Sequence, residues 1–412
     1  MNCPPAATWF DPEDVRREVM LGVAKATIGL DGSDLIDLAG WDLRPALDPA
    51  SLELLRGAVV TAADGGKLLR ARLLLTAWAT FVRPRPGKDA SDSTAGRDGP
   101  AGRGATRIRL STVSAAGRPT SALGYGAAVR LAAALELFQA SALVHDDVVD
   151  RANLRRGRPA THRWLRAQTR GQFGARRAGR LGRDLAVLVG DLLLVASDER
   201  AHAGLSDADP LLAGSLAAAF DSMRSQVMAG QFFDTLAPAV PMPKEAVAPG
   251  RAVAVAVAKS ANYSVAYPLV IGALAGGAAE ADRSALMRFG THLGLAFQLR
   301  DDLLGVFGDP AATGKPAGGD LSEGKRTVLL AFALRRLPGA ERRRLEELVA
   351  SGARPAEVAE ARELVARSGA AREVERLIAD CHRTALTALA AIDQPELGPL
   401  ERLAAELIDR RA

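Results

Sequence analysis

The segment Leu143-Val144-His145-Asp146-Asp147-Val148-Val149-Asp150 closes a long apolar run with three carboxylates. In an α-helix, where each residue turns by about 100°, Asp146 and Asp150 lie on one face and Asp147 lies beside them. Carboxylates at the end of an apolar helix need cations, and their oxygens suit Mg²⁺, which also bridges to phosphate oxygens. Short acidic patterns also occur by chance at solvated helix ends, so this motif alone leaves both interpretations open.

A second acidic pair occurs downstream, in Asp301-Asp302-Leu303-Leu304-Gly305, again after an apolar segment. Cations follow both motifs: Arg155 and Arg156 follow the first, and Lys315 and Lys325 follow the second. Two carboxylate clusters on facing helices, each followed by cations, predict a cage for Mg²⁺ and a polyphosphate. The repetition therefore favours a functional site over chance.

Further short motifs lie before and between the two acidic motifs. In chain order they are Gly65-Gly66-Lys67-x-x-Arg70, Gln139, Gly190-Asp191, Gly230-Gln231-x-x-Asp234 and Lys259-Ser260-x-x-Tyr263. With the acidic motifs in their places, this ordered set resembles the trans-isoprenyl diphosphate synthases of the polyprenyl synthetase family, from about residue 64 to the C-terminus. The resemblance implies an all-α fold, a single-domain helical bundle around a central apolar cavity.

The resemblance also implies a reaction, the head-to-tail transfer of a prenyl group. An allylic diphosphate ionises, and the double bond of isopentenyl diphosphate attacks the resulting cation. Ionisation is the difficult step, because the charge of the leaving pyrophosphate must be neutralised. The departing pyrophosphate is thought to take the proton, so no histidine base is required, and His145 and His162 are predicted to be structural.

The resemblance assigns roles residue by residue. The predicted catalytic residues are Asp146, Asp147, Asp150, Arg155, Lys259, Ser260, Gln298 and Lys325. The predicted substrate-binding residues are Lys67, Arg70, Gln139, Arg155, Arg156, Gln231 and Lys315. The predicted Mg²⁺ ligands are Asp146, Asp147, Asp150, Asp301 and Asp302.

Product length in such a synthase follows from what blocks the cavity below Asp146. The residues one turn before it, Ser141 and Ala142, are small, whereas short-product relatives often have an aromatic ring there. Phe138, one further turn away on a similar face, is the next candidate for the floor. We therefore expect a geranylgeranyl diphosphate synthase-like enzyme, with geranylgeranyl diphosphate or a longer polyprenyl diphosphate as product.

The sequence departs from the family pattern at a few positions. Leu68 and Ala71 stand where Arg and Pro are usual, which predicts a lower affinity for isopentenyl diphosphate. Ser260 stands where Thr is more common. Gly305 stands where many relatives have a third Asp, which predicts weaker or altered metal binding at the second cluster without loss of activity.

Composition indicates one helical body. Of the 412 residues, 48% are hydrophobic and only 4% aromatic, and no alternation typical of β-hairpins appears. We expect a disordered N-terminus over residues 1–12 and one all-helical domain over 13–412. Stretches 83–124 and 165–183 lack apolar periodicity and are interpreted as insertions into that domain.

Basic residues are concentrated in one segment. Residues 151–183 hold eleven Arg and no Asp or Glu, although the formal net charge of the whole chain is only +5. The later ones, such as Arg176, Arg177 and Arg180, are predicted to line a solvated loop rather than a membrane or RNA surface. Aromatic residues that would stack on bases are nearly absent there, so we expect no nucleic-acid partner.

The cysteines and the apolar runs indicate where the protein is located. Two cysteines, Cys3 and Cys381, provide no disulfide framework, which fits a reducing cytosol. The first residues lack the pattern of a secretory signal, and the apolar runs are too short or too close to charges to predict an integral membrane segment. We therefore expect a soluble cytoplasmic protein, and the resemblance implies a homodimer.

Other functions are also weighed. A class I terpene cyclase would use an aspartate-rich motif too, but its second motif would need Ser and Glu closer to Asp301 than Ser322 and Glu323 are. A non-catalytic subunit of a heteromeric prenyl synthase would be expected to have lost one acidic cluster, and this chain keeps most of both. An HD-type phosphohydrolase would need more histidine ligands than a chain with five His and a single His145-Asp146 pair provides.

Overall fold

The fold is almost entirely helical, which confirms the predicted all-α class. The computed structural model describes residues 11–28, 48–82, 122–239, 249–308, 318–350, 354–394 and 396–408. Within these residues the sheet consists of a single two-stranded hairpin, Leu154–Arg155 with Arg158–Pro159, directly after the first acidic motif.

The first ten helical elements include one π-helix. They are α1 Pro12–Ile28, α2 Pro49–Ala63, α3 Leu69–Val82, α4 Tyr125–Val149, α5 Thr161–Leu205, α6 Pro210–Leu236, α7 Pro249–Ala256, the π-helix Val257–Ala266, α8 Tyr267–Ala275 and α9 Glu280–Phe307. A 3₁₀ turn, Ala237–Ala239, extends α6. The remaining helices are α10 Gly319–Ser322, α11 Val328–Arg336, α12 Gly339–Ala350, α13 Pro355–Arg367, α14 Ala370–Ala390 and α15 Gly398–Ile408.

Helix α4, which carries the first acidic motif, is the central helix. Its sequence is rich in Ala and Leu, which are strong helix formers, and it contains no Pro. By length and composition it could cross a membrane, but 67% of its most apolar window is buried inside the protein, as in a core helix. It packs along α5, and α9, which carries the second acidic motif, packs against α14 and the π-helix.

Residues 165–183 form part of α5, so the prediction of a solvated loop there is wrong. Arg, Ala, Leu and Gln make up 13 of the 19 residues and favour a helix, although four Gly weaken it. Packing also contributes, because four residues of the stretch are buried, Leu165, Thr169, Ala178 and Gly182. A kink at Gly174, with φ 73° and ψ 163°, interrupts it. Arg176 and Arg180 are exposed on this helix. Of the other predicted insertion, 83–124, only the last three residues lie among those described.

A close approach between α6 and the π-helix positions part of the site. A Cβ atom at Gly230 would lie 2.5 Å from the backbone nitrogen of Lys259, so only glycine permits this packing. The next residue, Gln231, and the one a turn later, Asp234, therefore lie opposite Lys259. The wider turn of the π-helix occurs where Lys259 and Tyr263 both project into the site, as π-helical segments often do.

Candidate active site

Asp146, the first residue of the first motif, is surrounded by donors from three other segments. Its carboxylate accepts a hydrogen bond from the amide of Gln231 (2.9 Å) and lies 3.6 Å from the Lys259 ammonium and 3.4 Å from the Arg155 guanidinium. Lys259 also donates to Asp234 at 2.5 Å. Burial opposes the charge on Lys259, but Asp146 and Asp234 outweigh it and raise its pKa. Lys259 therefore links the end of α4 to α6.

Asp147 faces a different partner. It is only 2% exposed, and the Arg155 guanidinium donates to one of its carboxylate oxygens through both Nε (2.9 Å) and Nη2. Burial opposes the charge of Arg155, but the hydrogen bond and the charge of Asp147 raise its pKa. The prediction of Asp147 as a metal ligand stays a prediction, since in this structure Asp147 orients Arg155.

Asp150, the third carboxylate of the motif, is paired with Lys325, which follows the second motif. Its oxygen lies 3.3 Å from the Lys325 ammonium. Burial, followed by the charge of Asp146, raises the pKa of Asp150 despite this cation. Burial likewise disfavours charge on Lys325, yet Asp320, Asp150 and Glu323 together raise its pKa. The segment after α9 is thus joined electrostatically to the end of α4.

The second motif also contains a buried carboxylate. Asp302 is 4% exposed and accepts a hydrogen bond from the Gln298 amide at 2.8 Å. Burial raises the pKa of Asp302 to about 7, and the nearby carboxylates of Asp320 and Asp301 add to the shift. The charge of Asp234, the partner of Lys259, also raises the pKa of Asp302, so the second motif lies within electrostatic range of the Lys259–Asp234 pair.

The donor chemistry of this region fits Mg²⁺ that shares its coordination with a substrate. In the described part of the chain, no group of three or more His, Cys, Asp or Glu side chains is arranged to hold a metal by itself. The carboxylates are instead hard oxygen donors on two facing elements, and Lys and Arg lie between them. Mg²⁺ usually takes one or two carboxylates and completes its shell with waters and phosphate oxygens, which suits this arrangement.

A separate cationic pocket lies at the turn between α2 and α3. Gly65 (φ 85°) and Gly66 (φ 99°) form the turn, and the Arg156 side chain covers it, donating to the carbonyl of Asp64 at 3.2 Å. A Cβ at Gly66 would lie 2.9 Å from the Arg156 guanidinium, so the glycine makes room for the cation. Burial, with Arg155 and Arg70 nearby, lowers the pKa of Arg156, which is the environment of an anion site.

The pocket itself is a cavity of about 260 Å³. Its lining includes Gly65, Gly66, Asp147, Arg155, Arg156 and Arg158. It adjoins the carboxylate cage through Arg155, the residue that serves both Asp146 and Asp147. Two cation-lined regions therefore lie side by side, with Arg155 between them.

Arg70, Tyr263 and Gln139 form a polar chain beside this pocket. The Arg70 guanidinium lies 4.3 Å above the Tyr263 ring and donates to the Ser264 hydroxyl at 2.6 Å. The Tyr263 hydroxyl donates to Gln139 at 2.6 Å. Burial raises the pKa of Tyr263, which therefore stays neutral. Tyr263 belongs to one of the sequence motifs, but no role was predicted for it. No sequence pattern indicated Ser264.

The departures from the family pattern have local structural explanations. Leu68 adopts φ 48° and its side chain is buried, so it adds no charge to the pocket. The backbone nitrogen of Ala71 donates to Glu136 at 3.0 Å, a bond that proline could not form. Glu136 is thus a further residue of the site region that sequence reasoning missed.

The remaining predicted site residues differ in how far they are buried. Lys67 is exposed at the turn, and Ser260 is half-buried beside Lys259. Asp301 is half-buried, and Lys315 lies outside the described residues. Of the proposed floor residues, Ser141 and Phe138 are buried and Ala142 is half-buried. Phe138 meets the Tyr263 ring edge-on at a centroid distance of 5.5 Å.

The two histidines near the site have different surroundings. The Nε2 atom of His145 lies 3.1 Å from the Val187 carbonyl and 3.3 Å from Asp191. Asp191 itself is exposed. Burial, with Arg163 and Arg183, lowers the pKa of His162 to about 4. The structural role of both histidines stays a prediction.

Comparison with known proteins gives consistent matches. A family model described as Polyprenyl synthetase matches residues 99–367. The short chain isoprenyl diphosphate synthase of Methanothermobacter thermautotrophicus is 31% identical over 293 residues, 70% of this chain and 79% of that protein. The geranylfarnesyl diphosphate synthase of Aeropyrum pernix is 30% identical over 298 residues, 69% of this chain and 83% of that protein.

A solved structure matches over nearly the whole chain. It is the geranylgeranyl pyrophosphate synthase of Corynebacterium glutamicum, complexed with isoprenyl diphosphate and magnesium. The two align with a TM-score of 0.74 and 31% identity, covering 97% of this chain and 98% of that one.

Proposed function

The chain belongs to the polyprenyl synthetase family, and we infer that it is a prenyltransferase that joins isopentenyl diphosphate head to tail to an allylic diphosphate. The observation that carries this inference is the presence of two adjacent cation-lined regions, one with two carboxylate clusters and one without. A terpene cyclase needs a single diphosphate site. A non-catalytic subunit would not need both clusters with their cations.

The allylic diphosphate would bind between the two acidic motifs. Mg²⁺ held by Asp146, Asp150 and Asp301, with Asp147 and Asp302 in support, would supply positive charge to the leaving pyrophosphate. Lys259 pairs with Asp146, and Lys325 pairs with Asp150. Both ammonium groups would donate to the pyrophosphate oxygens as negative charge develops.

Isopentenyl diphosphate would bind at the turn between α2 and α3. Arg156 and the backbone of Gly65 and Gly66 line the cavity there, and Arg70 lies within electrostatic range of Arg156. Tyr263 holds Gln139, and Lys67 is exposed at the rim. The diphosphate would thereby be fixed next to the allylic carbon through Arg155, which lines both regions.

Two groups would act on the cation and on the product. The Gln231 amide nitrogen is used by Asp146, which leaves its carbonyl oxygen as the atom available to the developing cation. Phe138, braced by Tyr263, supports the proposed floor of the product cavity. We therefore propose geranylgeranyl diphosphate, or a somewhat longer product.

A homodimer and a cytoplasmic location are also proposed. Val187, Leu188 and Val195 form an exposed apolar stripe on α5, with side chains at helical spacing. A second copy packed on this stripe would cover it. The buried Cys381 is a free thiol, in keeping with a reducing compartment.

One incubation tests the function. The protein is supplied with Mg²⁺, isopentenyl diphosphate and, separately, geranyl, farnesyl or geranylgeranyl diphosphate, and the products are separated by chromatography. The expected result is a prenyl diphosphate of twenty or more carbons, counted as about four five-carbon units, formed from at least one primer. A cyclic hydrocarbon, or no condensation with any primer, would contradict the proposal.

A further inference from the structure

The first part of α5 folds back on itself as a helical hairpin. A Cβ atom at Gly182 would lie 2.6 Å from the carbonyl oxygen of His162 and 2.9 Å from the backbone nitrogen of Arg166. In one straight helix, residues 166 and 182 would be about 24 Å apart, because each residue advances the helix by about 1.5 Å. The chain therefore reverses direction at Gly174, whose backbone is not helical.

The tip of this hairpin, residues 170–177, presents cations to solvent. Seven of its eight residues are exposed, and only Phe173 is half-buried. The tip contains no acidic residue, and three of its exposed residues are arginines, Arg170, Arg176 and Arg177. Within the described residues, no ion pair joins these three arginines to a carboxylate, whereas Arg180, beyond the tip, lies 3.8 Å from Asp184.

Arginines grouped on an ordered tip favour a partner that carries phosphate. Clustered like charges repel one another, and an anionic partner removes that repulsion. Every Lys or Arg position in residues 151–183 is Arg. The planar guanidinium group binds phosphate oxygens in bidentate geometry, which the ammonium group of Lys cannot do. The tip therefore fits a surface covered with phosphate groups.

A bilayer with anionic headgroups fits this tip better than a nucleic acid does. Phe173 is the only aromatic residue of the tip, and the Arg177 guanidinium lies 5.0 Å from the centre of its ring. The ring is therefore not a free platform on which bases could stack. An apolar ring flanked by guanidinium groups suits the boundary between acyl chains and headgroups, where each finds its own partner.

We propose that the tip of the hairpin docks the protein on the surface of a membrane that contains anionic phospholipids. The prediction of a solvated loop argued against a membrane surface, and the ordered hairpin removes that argument. Arg176 precedes Val187, the first residue of the stripe assigned to a second copy, by eleven residues, or about 16 Å of helix. Docking on a membrane is therefore compatible with a homodimer formed through the stripe.

Vesicle binding of the whole chain tests the proposal. Sucrose-loaded vesicles of phosphatidylcholine, with or without phosphatidylglycerol, are sedimented with the protein to obtain a partition coefficient. The wild type should bind only vesicles that contain phosphatidylglycerol, and binding should be lost at about 0.5 M NaCl, because salt screens the charges. The triple variant Arg170→Gln, Arg176→Gln, Arg177→Gln should lower the partition coefficient about 100-fold, or roughly fivefold for each arginine.

A second triple variant, Arg367→Gln, Arg376→Gln, Arg383→Gln, is the matched control. It removes the same charge from exposed arginines that already pair with carboxylates, those of Glu341, Glu373 and Asp380. The partition coefficient of this control should fall by less than about threefold, because its arginines lie away from the tip and are screened. Melting curves show whether both triple variants fold.

Three results would overturn the proposal. They are the absence of wild-type binding to phosphatidylglycerol vesicles, an equal loss of binding in both folded triple variants, and displacement of the protein from vesicles by an RNA oligonucleotide that binds it more tightly. The first and third use only the wild type, so they apply even if a variant does not fold. No prenyl substrate is present in this assay, so its outcome does not depend on the proposed function.

Discussion

The ammonium of Lys325 lies 3.3 Å from the carboxylate of Asp150, across more than one hundred and seventy residues of sequence. Lys325 follows the second acidic motif and Asp150 ends the first, so this pair joins the two halves of the site. It also places a half-buried cation beside the position proposed for the leaving pyrophosphate.

Replacing Lys325 by Met should lower kcat by about 100-fold, because a preorganised cation at the leaving group would be lost. The KM of isopentenyl diphosphate should change little, since that substrate is assigned to another pocket. Lys325→Arg should retain an intermediate rate. Steady-state kinetics check this, and a kcat of Lys325→Met within threefold of wild type would exclude the role.

Replacing Tyr263 by Phe should raise the KM of isopentenyl diphosphate by about fivefold, the effect of one lost hydrogen bond of about 1 kcal/mol. The ring and its contact with Arg70 remain, and only the bond that holds Gln139 is removed. Tyr267→Phe is the matched control, because its hydroxyl contacts Gln226 instead. An equal rise in the KM of the allylic substrate would show that Tyr263 does not act through Gln139.

Replacing Phe138 by Ala should lengthen the product, because the ring that packs on Tyr263 would be absent from the proposed floor. Truncation of a buried Phe also costs about 3–5 kcal/mol of stability, so Phe138→Leu serves as the milder companion. Chromatography of products from all three proteins measures the effect. An unchanged product distribution in a folded Phe138→Ala variant would show that the floor lies elsewhere.

The low pKa of His162, about 4 in the folded chain against an ordinary 6.5, predicts a loss of stability in acid. Between these values the unfolded chain binds a proton that the folded chain does not, so the free energy of unfolding falls as pH decreases from 6.5 towards 4. The loss approaches roughly 3 kcal/mol at the lower end. His162→Leu should lose less over this window.

Urea denaturation at several pH values measures this difference. The exposed His202→Leu variant is the control and should follow the wild-type pH dependence. Equal pH dependence in wild type and His162→Leu would show that His162 is not the responsible group.

The fold class and the grouping of the main site residues could be predicted from the sequence. Some contacts and one helical stretch could not. The spacing of Asp146 and Asp150 on one helix predicts their common face, because helical geometry is local. The pairing of Asp147 with Arg155 depends on the path of the hairpin between them. Residues 165–183 are helical, although a search for apolar periodicity does not detect a helix there.

The position of Asp320 illustrates a second limit. The motif shows that residue 305 carries no side chain, but only the docking of α10 shows that the Asp320 carboxyl group lies against it. Leu68 is similar, since its left-handed backbone and burial depend on the whole turn. Non-local packing decided these cases, and one sequence gives no direct information about it.

The π-helix Val257–Ala266 carries residues of both proposed substrate sites, Lys259 beside one and Tyr263 beside the other. The wider i→i+5 turn of this segment sets the angle between Lys259 and Tyr263 around the helix axis, so a change in the length of the segment would alter that angle. Lys259 would then turn away from Asp146, or Tyr263 would turn away from Gln139. A one-residue deletion in this short segment would thus disturb the proposed allylic diphosphate and isopentenyl diphosphate sites relative to each other, without replacing any other side chain.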